Sequence, residues 1–147
     1  MLLTDLIKAI RVEEIIGDAQ RPITDINIDS RRIASGHLFV AMRGTQVDGH
    51  QYIQSAIDKG AAAIVCEQLP ETLAEGVTYL RVANSEECVG PIATVFNDNP
   101  TEKVRLIGVT GTNGKTSATL LLKHVLEQTC GAKVGLIGTM ENMIGDV

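Results

Sequence analysis

Residues 104–117 read Val104-Arg105-Leu106-Ile107-Gly108-Val109-Thr110-Gly111-Thr112-Asn113-Gly114-Lys115-Thr116-Ser117, an apolar run leading into a glycine-bearing turn. A helical pattern follows through Leu120, Leu121, Leu122, Val125 and Leu126. Strand, glycine turn and helix, in that order, are the setting in which a loop cradles phosphate groups. Gly111 and Gly114 allow backbone conformations closed to residues with a Cβ, and let the chain approach a ligand closely. Amides freed at the helix start converge where the helix dipole also favours an anion. On this reading Gly111, Thr112, Asn113, Gly114, Lys115, Thr116 and Ser117 bind a nucleotide. Lys115 and Thr116 carry the chemistry, the lysine on the β- and γ-phosphates and the threonine hydroxyl on Mg²⁺. The pattern G-x-x-x-x-G-K-[ST] places its first glycine at position 109, where this chain has Val109, so only its second half is matched. A plain glycine turn with an exposed lysine is the alternative.

The 147 residues leave room for one domain of ordinary size, or for one domain and a piece of another. Hydrophobic residues make up 44% and charged residues 21%, the balance of a globular chain with material for a core. Aromatics are only 3%, so that core must be aliphatic. Net charge is −5 and no basic cluster occurs, which argues against a nucleic-acid surface. No apolar run approaches the length of a membrane span, so no membrane insertion is expected. Cys66, Cys88 and Cys130 are widely spaced. Their odd number and the lack of a leader pattern lead us to expect a reduced, cytoplasmic setting, with each cysteine a small buried hydrophobe. His37, His50 and His124 lack metal-ligand spacing and read as surface or capping residues. Glu86-Glu87 reads as a solvated first helical turn.

From the N-terminus, residues 2–11 predict a short amphipathic helix, with Thr4 as a possible cap and Leu3, Leu6, Ile7 and Ile10 on one face. Residues 23–29 alternate apolar and polar, the mark of a half-buried strand. A second strand over 37–42 runs into the loop Arg43-Gly44-Thr45-Gln46-Val47-Asp48-Gly49. Residues 50–59 predict a helix stopped at Gly60, followed by buried strands over 61–66 and 77–82. A helix capped by Ser85 runs to about Val95, with Pro91 kinking it or delaying its start. Asn97-Asp98-Asn99-Pro100-Thr101 is the clearest break, and a domain boundary is expected there. Past it lie strand, loop, helix and a further apolar strand over 133–137. One such unit cannot cover both faces of its strands. The chain is therefore expected to be a piece of a longer protein, holding one whole α/β domain and the opening of a second.

Several segments, in this order, resemble the Mur ligases, the ATP-dependent amide-bond-forming enzymes of bacterial cell-wall synthesis. They are Asp29-Ser30-Arg31, Gly36-His37-Leu38-Phe39-Val40-Ala41, Gly44 to Gly49, Gly60-Ala61-Ala62-Ala63-Ile64-Val65, the Asn99-Pro100 break and Leu106 to Thr116. The resemblance spans nearly the whole chain. It implies a complete N-terminal UDP-substrate-binding domain over residues 1–100. Over 101–147 it implies the first β–P-loop–α–β unit of a central ATP-binding domain that continues beyond this chain. It further implies that Ile28, Ser30, Thr45, Gln46 and Val47 hold the uridine nucleotide, Thr45 through its backbone, with Arg31 and Arg43 adding charge nearby. By their bare sequence, Asp29-Ser30-Arg31 read instead as a capped turn with a surface ion pair.

The implied activity is addition of meso-diaminopimelate, or L-lysine, to UDP-N-acetylmuramoyl-L-alanyl-D-glutamate. ATP and Mg²⁺ activate the substrate carboxylate as an acyl phosphate, which the incoming amine then attacks. Residues 1–147 alone are expected to be inactive, and no obligate protein partner is implied. The alternatives are the sibling ligase that adds D-alanyl-D-alanine, a phosphotransferase or GTPase, and a nucleotide-binding module without chemistry of its own.

Overall fold

A computed structural model describes residues 1–44 and 47–145. The chain divides into two compact units, Met1–Val104 and Arg105–Val147. The first is built on a five-stranded sheet in the order β1-β5-β4-β3-β2. Strands β2 (Asp25–Asn27), β3 (His37–Val40), β4 (Ala63–Cys66) and β5 (Thr78–Val82) run parallel, and β1 (Val12–Ile16) pairs antiparallel with β5.

Strand alternation sends neighbouring side chains to opposite faces of the sheet. Leu38, Val40, Ala63, Val65, Leu80 and Val82 therefore form one core with Leu3 and Leu6 of α1 (Leu3–Ile7) and with Cys88 and Ile92 of α3 (Ser85–Phe96). Phe39, Ala41, Ile64, Cys66 and Tyr79 face the other way, onto Ile33 and onto Ile53 and Ala56 of α2 (Ile53–Asp58). Both faces are covered, as a parallel sheet requires. Tyr79 is the largest side chain sunk in this core, and its hydroxyl accepts the Ala74 N–H at 3.0 Å.

The β2, β3, β4 and β5 runs lie where their hydrophobic patterns predict them. The helix expected over 2–11 ends at Ile7, its N-cap is Leu2, and Thr4 lies inside it without capping. The residues after it form β1, which hydrophobic pattern alone does not reveal. A register irregularity between Val12 and Glu14 breaks the two-residue period, and Glu13 and Glu14 instead reach Arg81 across the edge at 2.7 and 2.9 Å. Helix α3 is capped by Asn84 rather than Ser85. The Asn84 carboxamide accepts from the Glu86 and Glu87 amides, whereas Ser85 is buried and turned to Glu67. Pro91 lies inside α3 without ending it, because Ile92, Val95 and Phe96 beyond it still pack on the sheet. At the Asn97–Thr101 break, Asp98 and Asn99 take left-handed conformations (φ 60° and 49°), and a 3₁₀ turn follows over Pro100–Glu102.

The second unit departs from expectation. Helix α4 spans Lys115–Cys130, and β6 (Gly135–Ile137) forms an antiparallel hairpin with β7 (Asn142–Ile144). The strand expected over 104–108 carries no ladder, and Leu106 and Ile107 are 72% and 60% exposed. A parallel strand exists only through neighbours that take up its N–H and C=O groups, and the described residues offer it none. Among the described residues no helix is long and apolar enough to cross a membrane.

Candidate functional site

The carboxyl ends of β2 and β3 open onto a groove of about 440 Å³. Ile28, Ser30 and Arg31 line it from β2, and Met42, Val47 and Tyr52 from the segment after β3. Crevices at the carboxyl ends of parallel strands are where α/β sheets hold ligands, since backbone amides emerge there from the ladder.

On the β2 side the chain turns into a 3₁₀ helix over Ser30–Arg32. Asp29 caps it, accepting the Arg31 amide at 2.9 Å and the Arg31 guanidinium at 2.8–3.1 Å. The guanidinium beside it holds the Asp29 carboxyl down at about 2. Ser30 is buried, and its carbonyl accepts the Lys59 ammonium at 2.9 Å. Asp29-Ser30-Arg31 is thus both a capped turn with an ion pair and a wall of the groove.

On the β3 side, residues 42–44 pair with residues 47–49 as a stem. The Gly49 amide donates to the Met42 carbonyl at 2.8 Å, the Gly44 amide donates to the Val47 carbonyl at 3.1 Å, and Arg43 bridges Asp48. Of the predicted nucleotide residues, the groove brings together Ile28, Ser30 and Val47. Ile28 and Val47 leave half their surface open there, at 51% and 50%. Thr45 and Gln46 lie outside the described residues.

The charge expected from Arg31 and Arg43 is largely offset. Arg31 is bound to Asp29, and Arg43 Nε stands 3.8 Å from both the Asp48 and Glu67 carboxylates. Any anion in this groove is therefore held chiefly by amides, hydroxyls and shape. Sequence reading missed Met42 and Tyr52 as lining residues. Tyr52 reads as part of a helix face, and only the 3₁₀ turn over Gly49–Tyr52 leaves its ring 43% exposed at the groove.

Sequence reading also made His50 a surface or capping residue. Its side chain is only 12% exposed and bonded at both nitrogens. Nε2 accepts the Glu67 amide at 2.9 Å, so Nδ1 carries the proton and donates to the Asp48 carboxylate at 2.6 Å. The Asp48 carboxyl is held low, first by the His50 backbone amide and then by the imidazole. The Glu67 carboxylate accepts the Ser85 amide at 3.1 Å and its hydroxyl at 3.0 Å, the amide contributing most to holding it low.

The glycine loop belongs to the second unit. Gly114, at φ 75°, is the N-cap of α4, and no side chain caps the helix. The first-turn amides of Lys115, Thr116 and Ser117 have no intrahelical carbonyl to reach. The Lys115 ammonium folds back onto the Gly111 and Thr112 carbonyls. Open amides, a left-handed glycine and a lysine over the loop fit a phosphate chain, and the exposed Thr116 hydroxyl fits a hard cation such as Mg²⁺. Cys66 and Cys88 are buried, whereas Cys130, expected buried, is exposed at the end of α4.

Residues 22–97 match the family model described as "Mur ligase family, catalytic domain", and residues 109–146 match the Mur ligase middle domain. The UDP-N-acetylmuramoyl-L-alanyl-D-glutamate--2,6-diaminopimelate ligase of Phocaeicola vulgatus is 55% identical over 99% of this chain and 30% of its own length. A solved structure of a ligase of that name shares the fold at a TM-score of 0.69, with 20% identity over 100% of this chain and 29% of that one. A MurF ligase from Thermotoga maritima, solved in complex with ADP, reaches a TM-score of 0.55 at 25% identity, over 78% of this chain and 25% of that one. The chain thus spans about 30% of the length of the curated relatives it matches. With the first family model covering more than half of it, the chain belongs to the Mur ligase family.

Proposed function

We propose that this chain supplies the uridine-nucleotide site and the ATP loop of a cytoplasmic, ATP-dependent ligase. The whole protein would join 2,6-diaminopimelate to UDP-N-acetylmuramoyl-L-alanyl-D-glutamate. The observation that carries this reading is the 55% identity to a ligase of that name over 99% of this chain, a span that takes in both the groove and the glycine loop. On this reading a UDP-binding domain occupies residues 1–100 and the start of an ATP-binding domain occupies 101–147. Ile28, Ser30 and Val47, with Thr45 and Gln46, grip the uridine nucleotide. Strand-end amides and small hydroxyls suit uracil and diphosphate, and the offset of Arg31 and Arg43 by carboxylates is compatible with recognition of this kind.

Gly111 to Ser117 cradle the phosphates of ATP through their amides, as the open first turn of α4 allows. Lys115 leaves the Gly111 and Thr112 carbonyls to offset charge on the transferring phosphoryl group. Thr116 would hold Mg²⁺, which would supply further charge neutralisation for phosphoryl transfer.

Calorimetric titration with UDP-N-acetylmuramoyl-L-alanyl-D-glutamate and, separately, with Mg·ATP tests this reading. UDP-compound binding that is lost in Ser30→Phe, and ATP binding that is lost in Lys115→Ala, is the expected result. ATP binding without any affinity for the UDP compound overturns it in favour of a nucleotide-binding module.

A further inference from the structure

Beyond the groove wall lies a chain of polar contacts that lines no site itself. It begins at Asp48 in the stem, passes through the His50 imidazole to the Glu67 amide at the end of β4, and continues from the Glu67 carboxylate to Ser85 at the start of α3. Among the described residues the stem is also tied to β3 by the Met42 amide, which donates to the Val40 carbonyl at 3.1 Å, and Arg43 faces Glu67 only at 3.8 Å. His50 is thus the one side chain among the described residues that hydrogen-bonds the stem to the residue following β4.

We infer that His50 is a positioning residue for the groove. In its neutral Nδ1–H form it clamps the Arg43–Asp48 stem to the end of β4, and its protonation releases the stem and weakens the ligand held against Met42 and Val47. The inference rests on the reading of the groove as a uridine-nucleotide site.

The physical reason is the direction of the two hydrogen bonds. Neutral imidazole donates at one nitrogen and accepts at the other, which matches a carboxylate on one side and an amide N–H on the other. Protonated imidazole donates at both. The Asp48 contact survives and strengthens, but Nε2–H then meets the Glu67 N–H at 2.9 Å, donor against donor. The charged groups facing the ring are Asp48 from its own turn, Glu67 from β4 and Arg43 from the stem. Ser85 occupies Oε1 of Glu67, and Arg43 Nε stands 3.8 Å from its Oε2 and from the Asp48 carboxylate; the donor clash at the Glu67 amide is relieved when the pair Asp48–His50 moves together, away from β4.

Two measurements on the 147-residue chain test this, one of them independent of any ligand. Amide exchange of Glu67, corrected for the intrinsic pH dependence of exchange, should be slow at pH 8 and faster at pH 5.5. In His50→Ala it should be fast at every pH. Equal protection in wild type and His50→Ala overturns the clamp.

In the second measurement, UDP is titrated from pH 5.5 to 8. Wild-type affinity should fall about tenfold toward the acid end, and His50→Ala should be weaker by about tenfold throughout. His50→Gln, whose amide oxygen can still accept the Glu67 N–H, should restore binding and flatten the pH profile. A His50→Gln profile as steep as wild type overturns the role of His50. Failure of UDP to bind wild type at any pH would instead remove the groove's assigned ligand, while the exchange result still decides the clamp.

Discussion

The Lys59 ammonium, just past the last turn of α2, donates to the Ser30 carbonyl at 2.9 Å, joining points 29 residues apart. This contact holds the 3₁₀ turn at the groove wall, where Ile28 and Ser30 line the groove.

Lys59→Met keeps the aliphatic stem of the side chain and removes the donor. One hydrogen bond to a charged donor is worth about 1.5–3 kcal/mol at most and less when half-exposed, so melting temperature should drop only slightly. Affinity for UDP-N-acetylmuramoyl-L-alanyl-D-glutamate should fall several-fold, because the freed turn must be ordered again on binding. Calorimetry and a thermal melt on the same variant separate the two effects.

Gly49 closes the stem by close approach. A Cβ added there would lie 2.6 Å from the Met42 oxygen and 3.0 Å from the Met42 nitrogen, both backbone atoms. Gly49→Ala must therefore push the stem off the end of β3, at a cost of about 1–3 kcal/mol. A denaturant melt should show that loss of stability. Titration with UDP should show weaker binding in the fraction that remains folded.

The Asp29–Arg31 pair gives a pH signature. The guanidinium of Arg31 holds the Asp29 carboxyl at about 2, below its value in an unfolded chain. A depressed carboxyl contributes stability above its unfolded value and loses that contribution as pH falls through the folded one, here between roughly 4 and 2. Arg31→Ala should raise the Asp29 carboxyl toward the ordinary carboxylate range in an NMR titration, but not fully into it, because the amide of residue 31 and the Arg32 charge still hold it down. Because the pair is open to solvent, global stability at neutral pH should change little.

The cysteines should separate cleanly. Burial pushes the Cys66 thiol up to about 11 and raises that of Cys88, whereas Cys130 is exposed. At pH 8 a thiol reagent should modify Cys130 alone in the folded chain, with Cys66 and Cys88 reacting only in denaturant. Rapid modification of Cys66 in native protein would contradict the packing of β4.

Much of this was readable beforehand because it is local. Runs such as 37–42, 61–66 and 77–82 declare buried strands through their own composition, and Asn97–Thr101 declares a break. The order of short motifs from Asp29 to Thr116 identifies the family. Edge strand β1 was not readable, since Val12-Glu13-Glu14-Ile15-Ile16 becomes a strand only through Arg81 and the bulge opposite β5. The run 104–108 failed the opposite way, apolar enough for a strand yet without a partner among the described residues. The groove divides likewise. Ser30 and Val47 were accessible through motif, whereas Met42 and Tyr52 entered it through the path of the chain, and His50 through an amide 17 residues away. By itself the sequence determined which segments must be buried, because burial follows from composition and period. The tertiary structure alone decided which buried segments pair and which polar atoms meet, because hydrogen bonds join residues whose separation along the chain leaves no periodic trace.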